Sequence, residues 1–370
     1  MDAKSAPRVI VGLSGGVDSA VAALLLKSQG LEVQGLFMSN WDDDDAYCTA
    51  AEDFQDARSV ARELGIPLHR VSFAAEYRER VFQHFLAEHR AGRTPNPDVL
   101  CNREVKFGVA LRYARRLGAE WFATGHYARL ERTASGVALL KARDSSKDQT
   151  YFLHAVAPGD FARVLMPIGE LTKVEVRERA RRAGLPVFDK PDSTGICFIG
   201  ERPFREFLTR YLSTEPGSIE DEDGVRLGTH CGLAFYMLGQ RAGLEIGGRR
   251  GRPPAPWYVA AKDAARNALL IVQGHDHPRL YSRELSTQSV HWLSAPGELP
   301  LRCTVRVRHR QREQSAWCHR TVAGGVRIVF DEPQWAVTPG QYAVIYSGER
   351  CLGGGVIATV AHAPAREVAA

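Results

Sequence analysis

The chain has 370 residues, a formal charge of +5, 44% hydrophobic and 25% charged residues, the composition of a folded chain with room for two or three cores rather than of a disordered or fibrous one. No apolar run is long enough to span a bilayer, and MDAKSAPRVIVGLSGG passes straight into a strand without the features of a signal peptide, so a cytoplasmic location is expected. Cys48, Cys101, Cys197, Cys231, Cys303, Cys318 and Cys351 are odd in number and lack C-x-x-C pairs or metal-ligand spacing, which argues against a disulfide framework or a zinc site.

Val9–Leu13 reads as a short buried strand and Ser19–Gln29 as a helix stopped by Gly30. Between them lies Ser14-Gly15-Gly16-Val17-Asp18-Ser19, a glycine loop at a helix start. Unpaired N–H groups and the macrodipole favour an anion there, and the glycines let it approach the main chain. The Ser14 and Ser19 hydroxyls add donors. A bare Gly-Gly would read as an ordinary turn capped by Ser or Asp. The loop has no Walker A lysine, and Gly12, Gly15 and Gly16 do not fit a Rossmann fingerprint.

Strands over Val33–Met38, Leu68–Val71 and Trp121–Thr124 alternate with helices over Ala50–Leu64, Ala75–Arg90 and Glu104–Leu117, the pattern of a parallel doubly wound sheet. Such sheets bind ligands at the carboxyl ends of their strands, where Ser14, Met38, Gly125 and His126 fall. WDDDDAYC, after the second strand, reads as a solvated acidic loop.

In GRTPNPDVLCNREVKF, residues 92–107, Pro95 and Pro97 hold an extended segment, and Asp98 offers an N-cap for a helix from Val99. Cys101 then sits in the first turn near Arg103 and Lys106, which favours a thiolate; the other reading is an inert buried cysteine. A hairpin-like piece spans Tyr127–Lys141, and LTKVEVRERARRAG is a helix with a Thr172/Glu175 capping box and a Gly184 stop. KPDSTGICFIG sets Cys197 in a loop. The glycine-rich stretch from Gly217 to Gly248 reads as a small linking domain, and the short strands after His275 as a β-barrel or sandwich. In LRCTVRVRHRQR, strand alternation places Arg302, Arg306, Arg308, Arg310 and Arg312 on one face, a stripe suited to RNA phosphates.

SGGVDS resembles the PP-loop of the ATP pyrophosphatases, which split ATP between its α and β phosphates and adenylate a substrate oxygen. Together with GLFMSNW, GRTPNPDVLCNREVKF, ATGHYAR, SKDQTYFL, DSTGICFIGER, LGQRAGLEIGG and TPGQYAV, in that order and spacing, it resembles the tRNA-specific 2-thiouridylase family, called MnmA, from about Val9 to Val360. The resemblance implies an α/β fold: a doubly wound parallel-sheet PP-loop domain of the adenine nucleotide alpha hydrolase type over residues 1–205, a small central domain over 206–275, and a tRNA-binding C-terminal β-barrel over 276–370.

It further implies ATP as co-substrate with Mg²⁺, bound through Gly12, Leu13, Ser14, Gly15, Gly16, Val17, Asp18, Ser19, Met38 and Gly125. Asn96, Pro97 and Asp98 match the segment that touches the target uridine, with Asp98 in proton transfer. Cys101 matches the nucleophile and Cys197 the persulfide carrier, and the chemistry ends in a disulfide between them. His126, Lys147, Asp148, Gln149, Arg308, His309 and Gln341 match tRNA contacts; His309 stands where tyrosine is expected. The implied partners are lysine, glutamate and glutamine tRNAs and a sulfur carrier fed by a cysteine desulfurase. Two other classes stay open on the residues alone. A PP-loop ligase or amidotransferase acting on another acceptor would need no cysteine pair, and a non-enzymatic nucleotide- or RNA-binding module would release no pyrophosphate.

Overall fold

The computed structural model describes residues 6–41, 50–134, 136–192, 204–247, 254–322 and 324–362. Cys48, the acidic loop around Asp42–Asp45 and Cys197 lie outside the described residues.

The amino-terminal part runs β1 (Arg8–Gly12), α1 (Val17–Ser28), β2 (Glu32–Ser39), α2 (Ala50–Leu64) and β3 (Leu68–Ser72). It continues as α3 (Ala74–Tyr77, Arg78–Phe82 and Gln83–Arg90), α4 (Pro97–Leu100, Cys101–Ala110 and Leu111–Arg116) and β4 (Trp121–Ala123). The middle stretches of α3 and α4 are π-helical. A hairpin, β5 (Ala128–Thr133) and β6 (Gly136–Lys141), precedes the short helices α5 (Thr150–Leu153) and α6 (Pro158–Phe161), then β7 (Val164–Leu165) and α7 (Lys173–Arg182).

The parallel sheet has the order β3-β2-β1-β4-β7. Side chains alternate along β1, so Ile10 enters one core with Tyr77, Phe107 and Phe122, while Val9 and Val11 enter the other with Ala20, Val21 and Phe37. Burial on both faces explains why the strand reads as a continuous apolar run. The chain winds outward from β1 to β3, then restarts at β4 on the other side of β1. This switch point opens a crevice at the carboxyl ends of β1 and β4, where the glycine loop and Gly125-His126 begin.

The remaining elements are α8 (Phe204–Thr209), β8 (Gly217–Glu220), β9 (Arg226–His230), β10 (Trp257–Asp263), β11 (Ala268–Gln273), β12 (Tyr281–Thr287), β13 (His291–Trp292), β14 (Leu301–Arg306), β15 (Gln314–Arg320), β16 (Val326–Trp335), β17 (Tyr342–Ser347) and β18 (Arg350–His362). Strands β8 to β11 make a four-stranded sheet in the order β10-β11-β8-β9. Strands β12, β16, β15, β14, β17 and β18 close into a six-stranded barrel because β18 also pairs with β12. Its interior holds Leu285, Cys303, Val305, Cys318, Ile328, Phe330 and Ile345. The β5–β6 hairpin extends this sheet: Leu140 of β6 pairs with Arg350 of β18. Among the described residues, no helix is long and apolar enough to cross a membrane.

The expected five-arginine face is corrected by the structure. β14 ends at Arg306, and the chain then turns, with the Gln311 N–H donating to the Arg308 carbonyl at 3.1 Å. Strand alternation therefore stops before Arg308, Arg310 and Arg312. Arg306 is buried against Asp148 and Glu313, and Arg302 is ion-paired to Asp331.

Candidate active site

The loop after β1 is shaped for an anion. Gly16 is the N-cap of α1, with extended geometry and no side-chain cap hydrogen bond, so no serine or aspartate cap takes the first N–H groups of the helix. Ser19 braces the turn, accepting from the Ser14 N–H at 3.2 Å and donating to the Gly16 carbonyl at 3.0 Å. The Ser14 side chain stays exposed. Gly15 has φ +80, and a Cβ there would strike the Asp53 carbonyl oxygen of α2. At Gly125 a Cβ would lie 2.6 Å from the Ser19 nitrogen and 2.7 Å from the Asp18 carbonyl carbon. The two glycines bring α2 and the turn after β4 against the loop, while Met38 Cε lies 3.5 Å from where a Cβ on Gly12 would sit. An exposed hydroxyl, glycine clearance and an uncapped helix start fit a polyphosphate.

A charged network surrounds the loop. Asp18 accepts from the Tyr127 hydroxyl at 2.8 Å and from Lys173 Nζ at 2.7 and 2.8 Å. Lys173 also meets Asp192 at 2.6 Å, and Asp192 is bound by Lys147 at 2.7 Å and Arg177 at 3.1 Å. Burial works to raise the Asp192 pKa, but hydrogen bonds from Lys147 and Lys173 overcome it and hold the carboxyl at about 2. Burial and the facing Asp18 carboxylate push the Tyr127 phenol up, so it serves as a donor. Lys190 pairs with Asp53 at 2.7 Å and Asp56 at 2.5 Å; burial opposes its charge, but those carboxylates keep its pKa above the usual value.

The α4 segment departs from expectation at its start. The cap is Asn96, not Asp98: its side chain accepts from the Asp98 N–H at 3.2 Å, and Pro97 occupies the first helical turn. Proline's fixed φ and missing N–H suit that position, so the helix begins two residues earlier than Val99. Cys101 opens the π-helical stretch and is fully buried in the core. Asn102 donates to the Asp98 carbonyl at 3.0 Å and to the Phe152 carbonyl at 3.4 Å. Phe152 packs on His309 with ring centroids 4.3 Å apart. His126 lies 2.9 Å from Thr124 Oγ1 and 5.6 Å, centroid to centroid, from Phe107 of α4, and burial, aided by Lys106, holds it neutral.

Several residues matched to tRNA contacts have inward side chains. Asp148 is buried and accepts from Ala142 N–H at 3.0 Å, Thr150 Oγ1 at 2.7 Å and Arg306 at 2.7 Å. Arg308 donates to the Leu238 and Ala336 carbonyls at 2.9 and 3.0 Å and to Thr338 Oγ1 at 3.1 Å, tying the segment before β10 to the barrel. Gln341 donates to the Thr94 carbonyl at 2.7 Å, joining the barrel to the segment before α4. Gln149 accepts from the Tyr127 N–H at 2.9 Å. Lys147 and His309 are half-buried. Among the described residues, no group of three or more His, Cys, Asp or Glu could hold a metal.

Tyr127, Lys173, Lys190 and Asp192 join the site without having stood out in the sequence. One signal was available for Lys173: it is the first helical residue after the Thr172 cap, where the positive end of the helix disfavours a cation.

Fold and loop together define an α/β enzyme domain of the PP-loop class, carrying a small central sheet and a closed six-stranded barrel. The family described as tRNA methyl transferase HUP domain matches residues 7–201, the tRNA methyl transferase PRC-barrel domain 205–273, and the aminomethyltransferase beta-barrel domain 282–357. The tRNA-specific 2-thiouridylase MnmA of Chromohalobacter salexigens is 56% identical, covering 96% of this chain and 93% of the relative. That of Verminephrobacter eiseniae is 55% identical over 97% of this chain and 100% of the relative. A solved 4-thiouridine synthetase–RNA complex with bound ATP aligns with TM-score 0.34 and 21% identity, covering 55% of this chain and 49% of that one. The chain belongs to the tRNA-specific 2-thiouridylase (MnmA) family.

Proposed function

We propose that this chain is a tRNA sulfurtransferase that replaces the C2 oxygen of the wobble uridine by sulfur, using ATP. The observation that carries the reading is the uncapped start of α1 at the sheet's switch point, closed in by Gly15 and Gly125, within a chain of this family.

The C2 oxygen is a poor leaving group. In the first step it attacks the α phosphorus of ATP, the uridine N3 proton is lost, and the bond to the β phosphate breaks with its electron pair leaving on pyrophosphate. Gly12 to Ser19, Met38 and Gly125 hold the nucleotide, and the loop N–H groups meet the pyrophosphate charge. When bound with the nucleotide, Mg²⁺ would supply charge neutralisation at the loop. Asn96, Pro97 and Asp98 face the target base, with Asp98 as proton acceptor.

In the second step the terminal sulfur of a Cys197 persulfide attacks C2 and AMP leaves with the oxygen. Cys101 then attacks the Cys197 sulfur, so that the new sulfur stays on the base. Alternatively, Cys101 attacks the Cys197 sulfur first and releases sulfide, which adds to C2 as AMP leaves with the oxygen. Either route loses the Cys101 thiol proton, returns a proton to N3, forms a Cys101–Cys197 disulfide and requires an external dithiol to reduce it. Lys147, Gln149 and His309 contact the tRNA, while His126, Asp148, Arg308 and Gln341 shape the surface from beneath. The tRNAs are those for lysine, glutamate and glutamine, and sulfur arrives from a desulfurase through a carrier.

The test is mass spectrometry of nucleosides from unmodified tRNA incubated with the protein, ATP, Mg²⁺ and a desulfurase system. Formation of 2-thiouridine by the wild type, lost in Cys101→Ser and Cys197→Ser, is expected. Pyrophosphate release without sulfur incorporation would overturn the tRNA assignment in favour of an adenylating ligase.

A further inference from the structure

The glycine loop has no lysine of its own, yet the breaking bond leaves charge on the pyrophosphate that backbone N–H groups alone only partly meet. The fold supplies a cation from elsewhere. Lys173 opens α7, far along the chain from the loop, and its ammonium reaches Asp18 in the first turn of α1. A lysine at that position is unfavourable for its own helix, and Asp144 compensates by accepting from the Lys173 backbone N–H at 2.9 Å.

The ammonium is held in place rather than merely neutralised. Asp18 contacts it at 2.7 and 2.8 Å, Asp192 at 2.6 Å, and the Tyr127 ring lies 5.8 Å away, leaving the side chain 12% exposed. Both carboxylates have other partners. Asp18 keeps the Tyr127 hydroxyl and Asp192 keeps Lys147 and Arg177. One Lys173 donor can therefore turn from Asp18 to a phosphate oxygen without leaving either carboxylate unpaired.

Resting on the ATP-dependent reading above, we propose that Lys173 is a catalytic residue: with ATP bound, its ammonium contacts the β and γ phosphates and stabilises the charge that develops on the departing pyrophosphate. Asp18 and Asp192 act on Lys173 as positioning residues. Lys190 is committed to Asp53 and Asp56 on α2, and among the described residues Lys147 meets the network through Asp192, so the geometry singles out Lys173 for this task.

The experiment compares wild type, Lys173→Met and Lys173→Arg as full chains. It measures tRNA-dependent pyrophosphate release and calorimetric binding of inorganic pyrophosphate with Mg²⁺. Lys173→Met is expected to lose kcat on the order of 10²-fold with little change in KM for ATP, and pyrophosphate affinity about tenfold. Lys173→Arg should recover part of both. Arg182→Gln, at the exposed end of the same helix where the arginine pairs with Glu178, should stay near wild type. A folded Lys173→Met protein that binds and releases pyrophosphate like wild type overturns the proposal.

Should Lys173→Met fail to fold, the wild type still decides. An ATP analogue bearing pyridoxal on its terminal phosphate, trapped with borohydride, should label Lys173 in an ATP-protectable way. Labelling confined to Lys147 or Lys190 overturns the assignment. Wild type that releases no pyrophosphate with any tRNA contradicts the ATP-dependent reading itself, whereas a labelled Lys173 in such a protein leaves the phosphate contact standing.

Discussion

Replacing Asp148 by asparagine separates support from within the protein from contact with tRNA. The side chain is 1% exposed and that of Arg306 10%. Its carboxylate accepts from Arg306, Thr150 and the Ala142 N–H. Asparagine keeps the shape but removes the charge and turns one acceptor into a donor facing other donors. Losing one partner of a buried pair costs about 3–5 kcal/mol; because Glu313 still holds Arg306 at 2.9 Å, the lower end, ~3 kcal/mol, applies here. For a large domain that corresponds to a fall in melting temperature of roughly 6–12 °C. Thermal unfolding followed by circular dichroism measures it, and filter binding well below the transition should show tRNA affinity changed by less than about twofold. An asparagine variant that melts like wild type yet binds tRNA more than about tenfold more weakly would refute the inward role.

Gly125→Ala places a methyl against backbone of the glycine loop, and a displacement approaching 1 Å should lower kcat/KM for ATP on the order of 10²-fold; wild-type kinetics would contradict the close approach. Asn96→Ala removes the cap of α4 and should cost about 1 kcal/mol, with faster amide exchange over residues 98–100; unchanged exchange would reject it. Burial holds His89 and His154 at about 4 in the folded state, with the neighbouring Lys262 adding to it for His89. The unfolded chain takes up those protons near pH 6.5, so the stability they permit is full above that pH and is lost as pH falls toward 4. Each contributes about 1.4 kcal/mol per pH unit. Urea midpoints measured from about pH 7 down to about pH 5 should therefore fall steeply; a flat profile would mean the rings are solvated.

Local pattern carried much of the architecture. Alternation and glycine punctuation located the parallel sheet and the loop after β1, and Thr172 with Glu175 forms the expected capping box before a stop at Gly184. Failures arose where distant contacts decide. The period of two in LRCTVRVRHRQR is real only through Arg306, because the turn after it is fixed by packing against Asp148 and the Leu238 carbonyl. The π-helical stretch from Cys101 has one local sign in retrospect: a Cβ on Gly108 would approach the Arg103 carbonyl oxygen to 2.9 Å. Lys173 needed the opposite reasoning, since a cation at this helix start is explained by carboxylates distant in sequence, Asp18 and Asp192.

The hairpin β5–β6 finishes its hydrogen bonding only with β18, about 210 residues further along the chain. At the usual pace of translation, about 5–20 residues per second, the β6 edge waits roughly 10–40 seconds for its partner to be synthesised. During that interval an apolar strand with unpaired N–H and C=O groups is open to other edges. The nascent chain is thus most exposed to mispairing after its first sheet can fold and before its last strand emerges, and a truncation that removes β18 should aggregate through that hairpin.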